Sequence, residues 1–172
     1  MTQAITFKTP WGYVEIAASD KGVTAIDLSP SSRRATADGV SSRWKKAEEN
    51  GEATALLKEA HTQLLAYMEG TRRDFSLPVD MSAGTPFQRK VWNAIRRIPY
   101  GRVRSYQWVA TRVGGKQYAR AVGMALRANP IPIVVPCHRI IAHDGSLGGF
   151  GCGLPMKRRL LKLEGTLGLL EA

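Results

Sequence analysis

The tetrapeptide Thr85-Pro86-Phe87-Gln88 fixes a helix start more firmly than any other stretch of this 172-residue chain. Thr is a strong N-cap, Pro is tolerated at the first helical position, and Gln three residues after the Thr can return a bond to the cap backbone. Phe87, Val91 and Ile95 follow at helical spacing, and the run stops near Pro99-Tyr100-Gly101. A second helix is expected from Ser105 to about Val113 and, after Gly114-Gly115-Lys116, a third from about Gln117 to Ala128. Two short helices across a Gly-containing turn are a helix-turn-helix candidate, although hairpins of this size also serve as plain packing units.

Ahead of that boundary the pattern differs. Segments 3–8, 12–18 and 22–28 are short, rich in Thr, Val, Ile and aromatics, and broken by Thr9-Pro10 and Asp20-Lys21-Gly22, as in an antiparallel meander. Residues 29–51 lack periodicity and read as a loop or a poorly ordered connection. Leu57, Ala60, Leu64 and Met68 recur at helical spacing within 52–69, ahead of Gly70, and 71–84 reads as a link. The expectation is an α+β protein with a sheet-and-helix domain over 1–80 and a mostly helical domain over 81–172.

A hydrophobic content of 44% is ample for a buried core. No stretch reaches the roughly 18 uninterrupted apolar residues of a membrane span, and Met1 to Pro10 lacks the apolar core of a secretory signal, so a soluble cytoplasmic protein is expected. Cys137 and Cys152 are too few for a disulfide framework and are not grouped with His at metal-ligand spacing, which implies a reducing compartment, no structural metal and no cofactor. Residues 1–80 hold 10 basic against 11 acidic side chains and residues 81–172 hold 15 against 3, so the net charge of +11 divides into −1 and +12. Such a one-sided excess is a footprint for a polyanion, because each cation at a phosphate releases condensed counterions; a generally basic, solvated surface is the competing explanation.

The third expected helix carries Ala119-Arg120-Ala121-Val122-Gly123-Met124-Ala125, with few of the side chains that read base edges. Small residues let a helix sit tight against a groove while Arg120 and Arg127 supply charge, which suits sequence-independent binding; packing against neighbouring helices explains Ala121 and Ala125 equally well. Chemistry concentrates where the apolar run from Ile131 leads into Pro136-Cys137-His138-Arg139-Ile140. A thiol with an ordinary pKa of about 8.5 becomes a far better nucleophile when a base or a cation favours its thiolate. Adjacency alone is weak evidence, because neighbouring residues of a strand point to opposite faces, so something must bend the chain or bridge the pair.

Pro136-Cys137-His138-Arg139 resembles the active-site motif of the O6-alkylguanine-DNA alkyltransferases, the methylated-DNA–protein-cysteine methyltransferases. The likeness extends over roughly residues 84–165: Thr85-Pro86-Phe87-Gln88, Ile98-Pro99-Tyr100-Gly101, Ser105-Tyr106, Ala119-Arg120-Ala121-Val122-Gly123, Asn129-Pro130, Gly148-Gly149-Phe150 and Leu161-Lys162-Leu163-Glu164-Gly165. It implies an N-terminal ribonuclease H-like domain and a C-terminal winged helix-turn-helix domain. It also implies irreversible, single-turnover transfer of an alkyl group from O6-alkylguanine, and from O4-alkylthymine, in double-stranded DNA to Cys137, by a monomer that flips the base through the minor groove.

By this resemblance Cys137 is the acceptor, His138 draws off its proton through a bridging water, and Glu164 orients the imidazole, a relay of the Cys-His-acid type. Tyr106 donates to guanine N3 as the base leaves. Arg120 is the finger that fills the space of the extruded nucleotide, and Ala119, Ala121, Gly123 and Arg127 belong to the DNA-binding helix. Asn129 is a hinge and Arg139 fixes the active-site loop. The carbonyls of Cys137 and Ile140 accept from the exocyclic amine, while Pro132 and Phe150 wall the pocket. Many relatives have a Tyr and then a Ser where this chain has Phe150 and Gly151; the usual contact there is a backbone N–H to O6, which Gly can still make.

Outside the motif, His143 beside Asp144-Gly145 reads as a loop residue, His61 as structural, Cys152 as a bystander, and Lys157-Arg158-Arg159 as a solvated face or phosphate contacts. Two other functions compete. A nonenzymatic binder of alkylated DNA has the same fold but replaces the cysteine, usually by Trp; a sequence-specific regulator is disfavoured by the small-residue helix and the lack of a dimerisation segment. A Cys hydrolase must release its acyl-enzyme with water, whereas a thioether resists hydrolysis.

Overall fold

The structure is a computed structural model and describes residues 2–28 and 55–170. The loop expected over 29–51 and the first residues of the helix expected over 52–69 lie outside the described residues. The chain divides into two compact units, Met1–Met81 and Ser82–Ala172.

In the first unit, strands β1 (Gln3–Thr9), β2 (Gly12–Ala18) and β3 (Val23–Asp27) form an antiparallel sheet in that order. The pairings Phe7↔Val14, Ile5↔Ile16 and Ile16↔Ile26 put the apolar member of each alternating pair on one face. Helix α1 (Ala55–Met68) buries Leu57, Ala60, Leu64 and Met68, as its periodicity predicts, together with Tyr67. His61 packs edge-on against Phe7 with ring centroids 4.3 Å apart.

The segment expected as a link does more than connect. Val23 N–H donates to the Pro78 carbonyl at 2.9 Å and Asp80 N–H to the Val23 carbonyl at 2.8 Å, so Val79 bridges β3 in parallel. Gly22 allows this approach, since a Cβ there would lie 2.7 Å from the Pro78 oxygen. A single bridge leaves no period in the sequence by which it could be foreseen.

In the second unit, α2 (Pro86–Ile95) begins with the full capping box: the Thr85 hydroxyl accepts from Gln88 N–H at 3.2 Å, and Thr85 N–H donates to Gln88 Oε1 at 2.9 Å. Helix α3 (Tyr106–Val113) is capped by Ser105, whose hydroxyl accepts from Trp108 N–H. A single 3-10 turn, Lys116–Tyr118, precedes α4 (Ala119–Arg127), so the third helix starts later than its sequence indicates. Val91, Trp92 and Ile95 of α2 and Val122, Ala125 and Leu126 of α4 make the core, and Trp92 Nε1 donates to the Ala125 carbonyl at 2.8 Å. Packing therefore accounts for Ala125. Strand β4 (Arg104–Ser105) pairs in parallel with β5 (Ile140–Ile141), which brings the start of α3 beside the chain leaving Cys137. Helices α5 (Leu154–Leu163) and α6 (Leu167–Leu170) complete the unit. Among the described residues no helix is long and apolar enough to cross a membrane.

Candidate active site

The apolar run before the cysteine is not a strand. Pro132 and Pro136 deny it ladder donors, and it folds into turns closed by bonds from Val135 N–H to the Ile131 carbonyl at 2.9 Å and from Cys137 N–H to the Val135 carbonyl at 2.8 Å. Ile133 sits at φ 74, a left-handed conformation that costs a β-branched residue roughly 1–2 kcal/mol and persists because the buried side chain is held on all sides. Asn129 ties this turn together: Oδ1 accepts from Ile131 N–H at 2.9 Å, and Nδ2 donates to the Val135 carbonyl at 2.9 Å and to Cys137 Sγ at 3.1 Å.

Cys137, His138 and Arg139 occupy one 3-10 turn, which bends the chain between the adjacent cysteine and histidine. His138 is fully buried, with Nε2 2.8 Å from Glu164 Oε1. Arg139 grips the same carboxylate through Nε (2.9 Å to Oε2) and Nη2 (2.8 Å to Oε1), sends Nη1 to the Ile98 carbonyl at 2.6 Å, and lies 5.8 Å from the centre of the Tyr100 ring. Glu164 reaches both partners because it caps α5, one turn beyond Leu160. Burial raises its carboxyl pKa, but the hydrogen bonds from His138 and Arg139 and their charges outweigh that and bring it to about 2. An ionised carboxylate only accepts, so Nε2 carries the imidazole proton and Nδ1 is left as a lone pair. Nδ1 is buried and has no hydrogen-bond partner among the described residues. Burial lowers the His138 pKa against the pull of Glu164, which favours the neutral imidazole.

Neither the cation nor the imidazole that adjoins Cys137 in sequence hydrogen-bonds to its sulfur. Both neighbours are engaged by Glu164, and the side-chain hydrogen bond to Sγ comes from Asn129. Burial pushes the Cys137 thiol up to about 11, outweighing the lowering by Asn129 and Lys157.

Cys137, 7% exposed, lines a cavity of about 390 Å³ together with Tyr106, Phe150, Gly151 and residues of α4. The cavity face of α4 carries Ala119, Arg120, Gly123, Met124 and Arg127, at helical positions i, i+1, i+4, i+5 and i+8. Ala121, expected with the DNA-binding residues, lies off the face that lines the cavity. Gly123 faces open space, so its size serves no internal packing. The Tyr106 hydroxyl donates to the Gly149 carbonyl at 3.5 Å, a long contact that a better acceptor can replace. Gly148 makes room for it, because a Cβ there would lie 2.6 Å from that hydroxyl and the backbone is at φ 68. Pro132 and Ile140, expected at the pocket, are buried and do not line the cavity. The Ile140 carbonyl already accepts from Lys157 and the Cys137 carbonyl from Ile140 N–H, leaving one lone pair on each.

Three residues of the site, Lys157, Met124 and Leu126, escape sequence reasoning. Lys157, which its neighbours place in a solvated charge run, is fully buried: Nζ donates to the carbonyls of Ile140 at 2.6 Å, Leu147, and Gly149 at 3.2 Å, lashing the chain after Cys137 to the loop under Tyr106. Burial pulls its pKa down to about 8 against the opposite pull of Cys137. A signal is present, since Lys157, Leu160, Leu161 and Glu164 fall at i, i+3, i+4 and i+7 on one buried helix face. Met124, 68% exposed, and the buried Leu126 line the cavity from α4. His143 is exposed, and Asp144 Oδ1 accepts from Ser146 N–H and hydroxyl at 3.0 and 2.7 Å. Cys152 is half-buried. Among the described residues no group of three His, Cys, Asp or Glu could hold a metal.

Known proteins share this architecture. Residues 86–166 match the DNA-binding domain of 6-O-methylguanine DNA methyltransferase, and residues 4–81 match its ribonuclease-like domain. The chain belongs to the 6-O-methylguanine DNA methyltransferase family. Within that family it is 42% identical to the constitutive methylated-DNA–protein-cysteine methyltransferase of Bacillus subtilis, over 95% of this chain and 96% of that one. It is 38% identical to the methylated-DNA–protein-cysteine methyltransferase of Methanosarcina acetivorans, over 93% and 96%. A Mycobacterium tuberculosis relative crystallised in complex with DNA is 34% identical and superposes with a TM-score of 0.76 over 95% of this chain and 93% of its own. Family membership thus spans both units.

Proposed function

We propose that this protein repairs DNA by direct reversal, moving the alkyl group from O6 of a damaged guanine, and from O4 of a damaged thymine, onto Cys137 once per molecule. One observation carries this reading: a buried thiol lines a cavity bounded by the second helix of a helix-turn-helix, next in sequence to a neutral imidazole whose free lone pair is set by Glu164. The O6 substituent cannot reach a buried thiol from within the base stack, so the base must be extruded, and damaged pairs open most readily. The face of α4 with Ala119 and Gly123 approaches the minor groove, and Arg120 fills the space the base leaves.

The Cys137 proton passes through a bridging water to Nδ1 of His138, while Nε2–H stays on Glu164. Sγ attacks the alkyl carbon, the S–C bond forms, and the C–O6 bond breaks with its electron pair on the guanine. Tyr106 releases its long contact to Gly149 and donates a hydrogen bond to N3, keeping its own proton while it stabilises the charge on the leaving base, which takes up the proton held at His138. In sum the thiol proton replaces the alkyl group on the guanine. A thioether is not hydrolysed under mild conditions, so the protein is consumed, and the chemistry needs no cofactor. The protein acts as a monomer in the cytoplasm, where reducing conditions keep Cys137 a thiol. A nonenzymatic binder would have no use for the nucleophile and its relay.

Intact-mass measurement after mixing with a duplex holding O6-methylguanine should show one added methyl group, mapped to the Cys137 peptide. Cys137→Ser should abolish the gain and keep DNA binding. Repeated turnover, or label on Cys152, would refute the reading.

A further inference from the structure

A second concave surface lies away from the cysteine. Arg89, Lys90 and Asn93 of α2, Arg97 in the turn after it, and Arg112 with Val113 at the end of α3 line a cleft of about 390 Å³ that shares no residue with the first cavity. The core face of α2 carries Val91, Trp92 and Ile95; Arg89, Lys90, Asn93 and Arg97 fall on the opposite side, so packing does not explain them.

The charge here is not balanced. The acids of residues 82–172 are Asp144, Glu164 and Glu171. Asp144 binds Ser146, Glu164 is held by His138 and Arg139, Glu171 lies outside the described residues, and no carboxylate lines the cleft. Among the described residues the side chains of Arg89, Lys90 and Arg97 have no ion pair or hydrogen bond. Arg112 is held in place by stacking 4.0 Å over the Trp108 ring, which leaves its N–H groups free to donate outward.

Four cations around one cleft match phosphate oxygens, which Arg binds through two parallel N–H groups. An acidic protein partner fits less well, because the lining offers no aromatic side chain or deep apolar anchor of the kind that dominates protein interfaces, whereas backbone phosphates need only cations. Tyr106 opens α3 beside the first cavity and Arg112 stands six residues on, about 9 Å along the axis. The two clefts therefore flank opposite ends of one helix.

We propose that the Arg89–Arg97–Arg112 cleft is a second binding site for the DNA phosphate backbone, taking DNA outside the segment held at α4. The proposal rests on reading the chain as a DNA repair protein. The phosphates can come from a flank of the same duplex or from a second segment, and duplex length separates these sources. The test compares the full chain with the triple variant R89Q/R97Q/R112Q, and with K8Q/K21Q/K58Q, which removes equal charge from the other unit. Binding to undamaged short and long duplexes is measured against salt.

The cleft variant should lower the slope of log affinity against log salt by about 2–3, since each phosphate that is no longer neutralised removes about 0.9 from it. Its transfer from free O6-alkylguanine base to Cys137 should match the parent. A reduced slope on the short duplex assigns the cleft to a flank; a reduction confined to long DNA, with failure to bind a second short duplex, assigns it to another segment. Either supports the proposal. An unchanged slope on both duplexes overturns it, as does an equal reduction in the control variant or displacement of an acidic peptide without any change in DNA affinity. Absence of alkyl transfer in the parent would instead refute the repair function itself.

Discussion

Replacing Glu164 with Gln perturbs the proposed relay without changing the size of the side chain. The carboxylate accepts from His138 and from two nitrogens of Arg139; the amide offers one acceptor oxygen and sets an NH₂ against one of these donors. A carboxyl held at about 2 against an ordinary 4.5 is coupled to its partners by about 3 kcal/mol, and breaking a buried pair on one side costs roughly 3–5 kcal/mol, so the variant should melt lower. The functional magnitude follows from Cys137. With its thiol at about 11, about one molecule in ten thousand carries the thiolate at pH 7. A relay that supplies the thiolate on demand is worth up to about 10⁴ in rate, the upper end of general-base catalysis. The parent rate should be flat above the depressed titration of His138. Glu164→Gln should instead rise about tenfold per pH unit and approach the parent as the pH nears the thiol's own pKa. The assay is single-turnover transfer against pH at a temperature where both proteins are folded, with a thiol titration of Cys137 alongside. Tyr106→Phe provides the contrast, since it weakens stabilisation of the leaving base and should lose the same factor at every pH. A Glu164→Gln defect that is flat with pH would show that Glu164 only holds Arg139, and the relay would be wrong.

Arg120→Ala should slow transfer from a duplex by about tenfold or more while leaving transfer from the free base nearly unchanged; equal losses would remove Arg120 from base extrusion, and rapid-quench assays on both substrates decide it. Lys157→Met should leave three carbonyls without their donor, costing about 1–3 kcal/mol by denaturant melt and slowing transfer through a loosened loop at 147–149; parental rate and stability would show that Lys157 does not hold the loop. Gly148→Ala should displace Tyr106 and strain the backbone by about 1–2 kcal/mol, lowering the rate with undamaged-DNA affinity kept; an unaffected rate would refute the Tyr106 role. Because Glu164 is depressed in the folded state, its contribution to stability is complete above pH 4.5 and is lost as pH falls through about 2, so acid unfolding should be shallower in Glu164→Gln.

Local chemistry was legible in the sequence. The Thr85 capping box, the Ser105 cap, the three alternating strands and the apolar face of α1 each depend on residues within one or two turns of one another, where spacing is geometry. The motif around Cys137 also marked the buried thiol that lines the cavity. What the sequence could not supply was the electrostatic state of that site, because a pKa depends on what surrounds a side chain in space. Arg139 and His138 adjoin Cys137 in sequence, but Glu164, brought in from the end of α5, takes both, and burial raises the thiol's pKa. Likewise Lys157 looks like one of three surface cations until the fold turns it inward to meet carbonyls 8 to 17 residues away. The basic cleft joins α2 to the end of α3 and exists only once those helices pack. Short-range patterns determined the elements; long-range packing decided which charges meet and how deeply the Cys137 thiol is buried.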